Sequence, residues 1–177
     1  MWELSYPREK WPDFLWRVDD QHTQSIPHPT DTTSQLKLVA SAATKTPGMS
    51  SDDMDLCLFL DHIAKHIVWS DRDKSYFLSV FTARSRAERW AEKRAEKPER
   101  TPVTIYKIDT AKLGPGVRLF DMKTLTELFK LDYKCFSDEV LFFGSIPRDA
   151  VVDVVDRLDL DTYDWGPEHH GQGMSTS

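Results

Sequence analysis

The chain has 177 residues, of which 40% are hydrophobic and 29% charged, and its formal net charge is −6 at pH 7. This length and composition are typical of one folded domain with its own core, and they exclude a disordered chain. A general nucleic-acid-binding protein would carry a clear excess of basic residues, so the net negative charge argues against that class. The charge is uneven, because residues 72–100 are rich in Arg and Lys whereas residues 153–168 are acidic.

The first half of the chain is predicted to contain two strands and one helix around a long loop. Residues 13–18, DFLWRV, form an apolar run interrupted only by Arg17, which predicts a strand. Residues 20–50 are polar and rich in Thr, Ser and Pro, which predicts a long loop. Residues 50–69 begin with Ser and Asp and continue with apolar residues at helical spacing, which predicts an amphipathic helix. Residues 74–81, KSYFLSVF, predict a second strand.

The second half is predicted to contain two more helices and three more strands. Ser85 and Glu88 form a capping-box pattern at the start of a helix that runs to about Pro98. Further strands are predicted at 101–108, after Glu139 and at 151–158, and a short helix is predicted at 122–131. Helices and strands are intermixed without the regular alternation of a doubly wound sheet, so the predicted fold class is α+β.

We expect a single domain over residues 1–158, with its core at 13–158, followed by an acidic and flexible tail at 159–177. The two cysteines, Cys57 and Cys135, are too few for a disulfide framework. Cys57 lies in the apolar helical pattern, which favours a small core residue over a disulfide or a reactive thiol.

The sequence also indicates where in the cell the protein is expected. No apolar segment approaches the roughly 20 residues that a membrane span needs. The first 14 residues contain Pro and charges where a signal peptide has its apolar segment. We therefore expect a cytoplasmic or intracellular protein without a membrane partner, unless a leader was removed.

No short motif for nucleotide binding, metalloprotease chemistry or a nucleophile elbow occurs. His62 and His66 have the i, i+4 spacing of metal ligands, but no Cys or His pattern accompanies them, so no metal site is predicted. A Ser/His/Asp triad stays open on composition alone.

Three polar residues stand on predicted strands: Arg17, Ser79 and Glu139. A buried Arg needs an anionic partner, either an internal carboxylate or a ligand phosphate. Glu139 precedes an apolar run, where it is either a strand-end charge in water or a catalytic carboxylate at the rim of a cleft.

Three motifs in chain order resemble the ADP-ribosyltransferase fold, and most closely the catalytic chain of cholera and heat-labile enterotoxin. FLWRVDD, with Arg17 and Asp19, resembles the Arg-x-Asp strand of that family. FLSVFTARSRAERWA resembles its Ser-Thr-Ser strand and following helix, with Ser79 and, eight residues later, Ala87. DEVLFFGSIPRDAV resembles the strand that begins with the catalytic Glu, here Glu139, and leads to Gly-x-Ile-Pro.

Other parts of the chain extend this resemblance to residues 13–158. VTIYKIDTAKL resembles the family's strand between the second and third motifs. A related set of fungal domains of unassigned function has a similar arrangement of LWRV, FLSV and E-V-L-F-x-G-x-I-P. The resemblance implies an α+β fold of mixed or antiparallel split β-sheets with flanking helices.

The resemblance also implies an Arg/Ser/Glu site that uses NAD as its substrate and needs no metal. Arg17 would hold the NAD phosphate or the nicotinamide ribose, and Asp19 belongs to the same binding motif. Ser79 would shape the nicotinamide-ribose site and orient Glu139. Glu139 would stabilise the positive charge that develops on the ribose as nicotinamide leaves.

The segment before Glu139 is implied to recognise the acceptor, with Tyr133 and Phe136 as contact aromatics; ordinary packing is their alternative role. Arginine-modifying members have Glu at the position of Ser137, and a hydroxyl is a poor general base for a guanidinium acceptor. The expected acceptor is therefore another group, on a protein or on nucleic acid, or water.

Two functions follow from this resemblance. The first is a toxin-like mono-ADP-ribosyltransferase or NAD glycohydrolase, an enzyme of the glycosyltransferase class. The second is a catalytically degenerate ADP-ribosyltransferase-like module that binds a protein partner. Val80 and Phe81 replace the Thr and second Ser of the Ser-Thr-Ser motif and favour the second function, whereas the three retained residues favour the first. The oligomeric state is not predicted.

Overall fold

A computed structural model of the chain describes residues 4–20, 25–27, 38–40, 54–67, 75–134, 137–143 and 145–158. The α-helices in these ranges are α1 (Leu56–Ile67), α2 (Arg84–Ala95) and α3 (Met122–Phe129). The strands are β1 (Phe14–Asp19), β2 (Ser25–Pro27), β3 (Leu38–Ala40), β4 (Phe77–Phe81), β5 (Val103–Asp109), β6 (Arg118–Asp121), β7 (Glu139–Phe143), β8 (Ser145–Ile146) and β9 (Val151–Leu158). Short 3-10 helices lie at Arg8–Lys10, Pro98–Arg100, Thr110–Lys112 and Arg148–Ala150.

The described strands form two antiparallel sheets. The larger one has six strands in the order β6-β7-β4-β1-β5-β9, and the smaller one has the order β2-β3-β8. The pairings described in both sheets are antiparallel. The predicted α+β class is therefore confirmed.

The centre of the larger sheet brings the three motif strands side by side. β4 and β7 are aligned so that Ser79 lies opposite Leu141 and Phe81 opposite Glu139. β1 and β4 pair at one register position, Trp16 opposite Phe81, whereas β1 and β5 pair over six positions. The Arg17 side chain of β1 also binds the β4 backbone, as described below.

Both faces of the larger sheet are covered. One face carries a cluster of Leu78, Val80, Val140 and Phe142 with Leu15. The other face packs Phe77, Leu141 and Phe143 against residues of α1 and α3, among them Phe59, Ile63 and Leu125. Strands that are buried on both sides have near-continuous apolar sequences, which is why VLFF and FLSVF contain so few polar residues.

Helix α2 lies against β1 and β5 through its three alanines. Ala87, Ala91 and Ala95 recur at i, i+4 and are buried against Trp16 and Ile105. Small side chains on this stripe let the helix backbone approach the sheet closely, because each alanine projects only a methyl group.

The predicted capping box of α2 is wrong. The helix begins at Arg84, its N-cap is Ala83, and no side chain caps it. Glu88 instead accepts a hydrogen bond from Arg84 Nε at 2.6 Å, as an i, i+4 ion pair on the exposed face. By contrast, α1 begins after an acidic residue as predicted, and Asp55 Oδ1 accepts a hydrogen bond from the Leu58 amide at 2.8 Å.

Two expectations for the first half are corrected by the structure. The predicted loop at 20–50 contains strands β2 and β3, which at three residues each are too short for an alternating pattern. Cys57 is exposed rather than in the core, because α1 buries Phe59 and Ile63 on a different face. Cys135 and the predicted tail at 159–177 lie outside the described residues.

No helix in the described part of the chain is long and apolar enough to cross a membrane.

Candidate functional site

Arg17 is buried and bound within its own motif. Its side chain lies at the β1–β4 junction, with Nε and Nη2 each 2.8 Å from Oδ1 of Asp19. Nη1 donates a hydrogen bond to the backbone carbonyl of Ser79 at 2.7 Å. The anionic partner that a buried Arg requires is therefore an internal carboxylate, that of Asp19.

Glu139 is 4% exposed, and two hydroxyl groups orient its carboxylate. Ser79 Oγ donates a hydrogen bond to Oε1 at 3.0 Å, and Tyr133 Oη lies 3.2 Å from both carboxylate oxygens. A buried carboxylate costs several kcal/mol unless hydrogen bonds compensate it, and these two donors contribute to that compensation. Glu139 is therefore not the solvent-facing strand end that was one reading of the sequence.

His66 on α1 joins the same group of side chains. Its Nε2 lies 2.8 Å from Ser79 Oγ. A serine hydroxyl has one proton, so the arrangement in which Ser79 donates to Glu139 requires His66 Nε2–H as the donor to the serine oxygen. In this arrangement the neutral imidazole has its hydrogen on Nε2.

The environment keeps His66 neutral. Burial lowers the pKa of His66 to about 4, the positive charge of Arg17 lowers it further, and a hydrogen bond with the Phe77 backbone opposes the shift. As a residue His66 keeps some exposure, but its Nδ1 is shielded from solvent. At neutral pH the ring is an uncharged donor.

In the sequence, the i, i+4 spacing of His62 and His66 is typical of metal ligands. The signal for the actual position of His66 was its spacing of three residues from Ile63, which lies on the buried face of α1. His62 takes a different place, because its ring packs edge-on against Tyr76 with centroids 4.4 Å apart. In the described ranges, no group of three or more His, Cys, Asp and Glu side chains is arranged to hold a metal ion.

These side chains form one connected set, the Glu139 cluster. Its members are Arg17, Asp19, His66, Ser79, Tyr133 and Glu139. The hydrogen-bond order opposes a Ser/His/Asp triad, because there the acid binds the imidazole and the imidazole accepts the serine proton. Here the acid binds the serine itself.

The remaining residues implied by the resemblance are separated from this cluster or occupy the core. Ser137 is exposed, and its Oγ lies 3.4 Å from Asp138 Oδ2. Val80 is part of the apolar cluster on the opposite face of the sheet. Phe81 is buried beside Trp16 and α2. Phe136 lies outside the described residues.

Fold and site together define an α+β protein with two antiparallel sheets and a buried polar cluster centred on one carboxylate. The chain belongs to the family described as a domain of unknown function (DUF7587), which it matches over residues 10–160. This match includes every strand and helix on which the Glu139 cluster lies. The chain matches no curated protein sequence.

Proposed function

We propose that this protein is an NAD-dependent mono-ADP-ribosyltransferase or NAD glycohydrolase that cleaves the nicotinamide–ribose bond at the Glu139 cluster. The observation that carries the proposal is the hydrogen bond from Ser79 to Glu139. It joins two residues sixty positions apart, on neighbouring strands, and the resemblance assigns to Ser79 the role of orienting Glu139.

The chemistry suits a buried and oriented carboxylate. As the C1′–N bond breaks, nicotinamide leaves with the bonding electron pair and positive charge develops on the ribose. A fixed carboxylate in a site of low dielectric stabilises that charge far more than it would in water. An acceptor nucleophile or water then bonds to C1′ and releases its proton.

The other residues have supporting roles in this proposal. Ser79 and Tyr133 hold the carboxylate in one orientation, and His66 fixes the serine hydroxyl. Arg17 is assigned to the NAD phosphate or ribose, and Asp19 holds its guanidinium in position. NAD is the substrate, and no step requires a metal.

The acceptor is water or a nucleophile on another molecule, with protein favoured over nucleic acid. Ser137 stands where arginine-modifying enzymes have a carboxylate, and its hydroxyl does not deprotonate a guanidinium at neutral pH. Arginine is therefore a poor acceptor for this site.

A second candidate function is a degenerate module that binds a protein partner. The observation that favours it is that Arg17 is only 5% exposed and that its guanidinium is already bound by Asp19 and by the Ser79 carbonyl. Phe81, in place of a serine, is 2% exposed and fills space next to Glu139 on the paired strand. In this function the cluster serves stability alone.

The deciding experiment is nicotinamide release from NAD by the purified chain, compared with Glu139→Gln and the matched control Glu127→Gln. Glu127 lies on α3 and its side chain is 69% exposed. We expect Glu139→Gln to lower the rate by roughly 100-fold or more, because it removes the charge and keeps the shape. We expect the control to keep full activity.

Two results separate the candidates. Absence of turnover together with absence of an NAD-dependent rise in thermal stability would refute the enzyme and favour the binding module. Equal rates for the two glutamine variants would assign the turnover to another site. Circular dichroism of each variant establishes that a lost rate is not lost folding.

A further inference from the structure

We propose that the protein has a second binding site, a basic pocket at the C-terminal end of α2 that takes a phosphate-sized oxyanion. The pocket is a cavity of about 130 Å³. Its lining residues are Trp90, Lys93, Arg94, Lys97 and Arg100. Its lining residues are not members of the Glu139 cluster, and the proposal does not depend on the reaction proposed there.

The lining has one sign of charge. Four of its five side chains are cationic, and within the described residues none of the lining side chains is a carboxylate. The acidic residues of the same segment, Glu92, Glu96 and Glu99, are exposed and do not line the cavity. A concave surface with charges of one sign concentrates counter-ions of the other sign.

One buried carboxylate binds two of the guanidinium groups that line the pocket. The side chain of Asp20 is fully buried, and its Oδ2 lies 2.7 Å from Arg94 Nη1 and 3.0 Å from Arg100 Nη1. Asp20 thereby holds two guanidinium groups in defined positions, one from the helix and one from the turn that follows it. A preorganised pair of this kind loses little entropy when an oxyanion binds.

The two lysines of the pocket carry positive charges that Asp20 does not neutralise. Among the residues that the structure describes, neither Lys93 nor Lys97 forms an ion pair. Lys93 and Arg94 also complement the partial negative charge of the helix C-terminus, which is the simplest reason for a basic last turn. That reason does not account for Arg100, which lies five residues beyond the helix end at Ala95 and lines the same cavity.

The cations of the pocket repel each other, although Asp20 compensates part of their charge. Burial lowers the pKa of Arg94 to about 10, Asp20 opposes that shift, and the charges of Arg17 and Arg100 add to it. An oxyanion in the pocket would relieve this repulsion. Trp90 completes the wall, with the Arg94 guanidinium carbon 5.1 Å from the centroid of its ring.

The size of the cavity selects the ligand class. Sites for drug-sized molecules measure roughly 300–1,000 Å³, so this cavity admits a single phosphate group rather than a whole nucleotide. Guanidinium groups suit phosphate because they donate two parallel hydrogen bonds to it. The bound group is either free phosphate or the phosphate end of a larger molecule that extends outside the pocket.

The test is titration calorimetry of the full chain with inorganic phosphate, and separately with adenosine monophosphate, at constant ionic strength adjusted with chloride. The pocket variant is Lys93→Ala/Lys97→Ala. The matched control is Lys112→Ala/Lys123→Ala, which removes two exposed lysines elsewhere. We expect saturable binding to one site, weakened about fivefold or more in the pocket variant and unchanged in the control.

Each outcome bears on the proposal. Similar affinity for both probes identifies phosphate itself as the recognised group, and tighter binding of the monophosphate indicates a ligand that extends past Trp90. Heat that does not saturate, or a pocket variant that binds as the native chain does, overturns the proposal. Equal weakening of phosphate binding in the control would also overturn it, because it would mean that binding depends only on the overall charge of the protein.

Discussion

Because His66 is neutral in the folded protein, we predict how the free energy of unfolding depends on pH. The ordinary pKa of a histidine, 6.5, applies to the unfolded chain, whereas the folded protein lowers it to about 4. Between these values the unfolded chain binds a proton that the folded chain excludes. The contribution of His66 to stability is therefore complete above about pH 6.5 and is lost as the pH falls toward 4.

The size of the effect follows from the two pKa values. Between pH 7.5 and pH 5, proton binding to the unfolded chain at this residue lowers the free energy of unfolding by at most about 2 kcal/mol. His66→Gln removes the titration, and the amide nitrogen of the glutamine can still donate to Ser79 Oγ. The pH-dependent loss should therefore be smaller in the variant by about that amount.

Urea unfolding followed by circular dichroism at the two pH values measures this difference. Every other titrating group is common to both proteins, so subtracting the two pH dependences isolates His66. An equal loss of stability in the native chain and the variant would refute the reasoning, since it would mean that the folded protein tolerates a charged imidazole there.

Two further predictions concern the pair of guanidinium groups and the exposed thiol. Asp20→Asn should lower the free energy of unfolding by about 3 kcal/mol or more, because it leaves the buried Arg94 and the half-buried Arg100 without their carboxylate. The exposed Asp61→Asn should change the urea midpoint little, and similar shifts for the two variants would contradict this account. Cys57 should react with a thiol reagent in the folded protein at a rate close to that of a free thiol, because it is exposed. Cys57→Ser should change the free energy of unfolding by less than about 0.5 kcal/mol. Reaction of Cys57 only after unfolding would show that the side chain is buried.

The candidate site could be predicted in part because its three main residues interrupt apolar strands. Arg17 and Ser79 are polar positions within runs that are otherwise buried, and Glu139 heads such a run. A polar side chain at such a position needs a partner, so the sequence indicates that a polar contact exists there. It does not indicate which partner, and Arg17 illustrates this, because an internal carboxylate and a ligand phosphate satisfy the same requirement.

Other members of the site left weaker signals. The resemblance implies acceptor contact for Tyr133, with packing as its alternative role, whereas its hydroxyl lies 3.2 Å from both carboxylate oxygens of Glu139. The sequence does not single out His66 as a hydrogen-bond donor, because a histidine at helical spacing fits a core position, a metal ligand and a donor equally well. Lys97 and Arg100 lie beyond the end of α2, where no periodicity relates them to the helix face that they join.

The sequence by itself determined the order and type of the main elements and the α+β class, because apolar periodicity is a local property. It also indicated which strands carry the polar residues. Only the tertiary structure decided that β1, β4 and β7 are neighbours, since strand pairing joins residues far apart in the chain. That pairing sets Ser79 against Glu139, and α1 then adds His66 to them. The same dependence on packing decided that Cys57 faces outward and that four basic side chains surround one cavity.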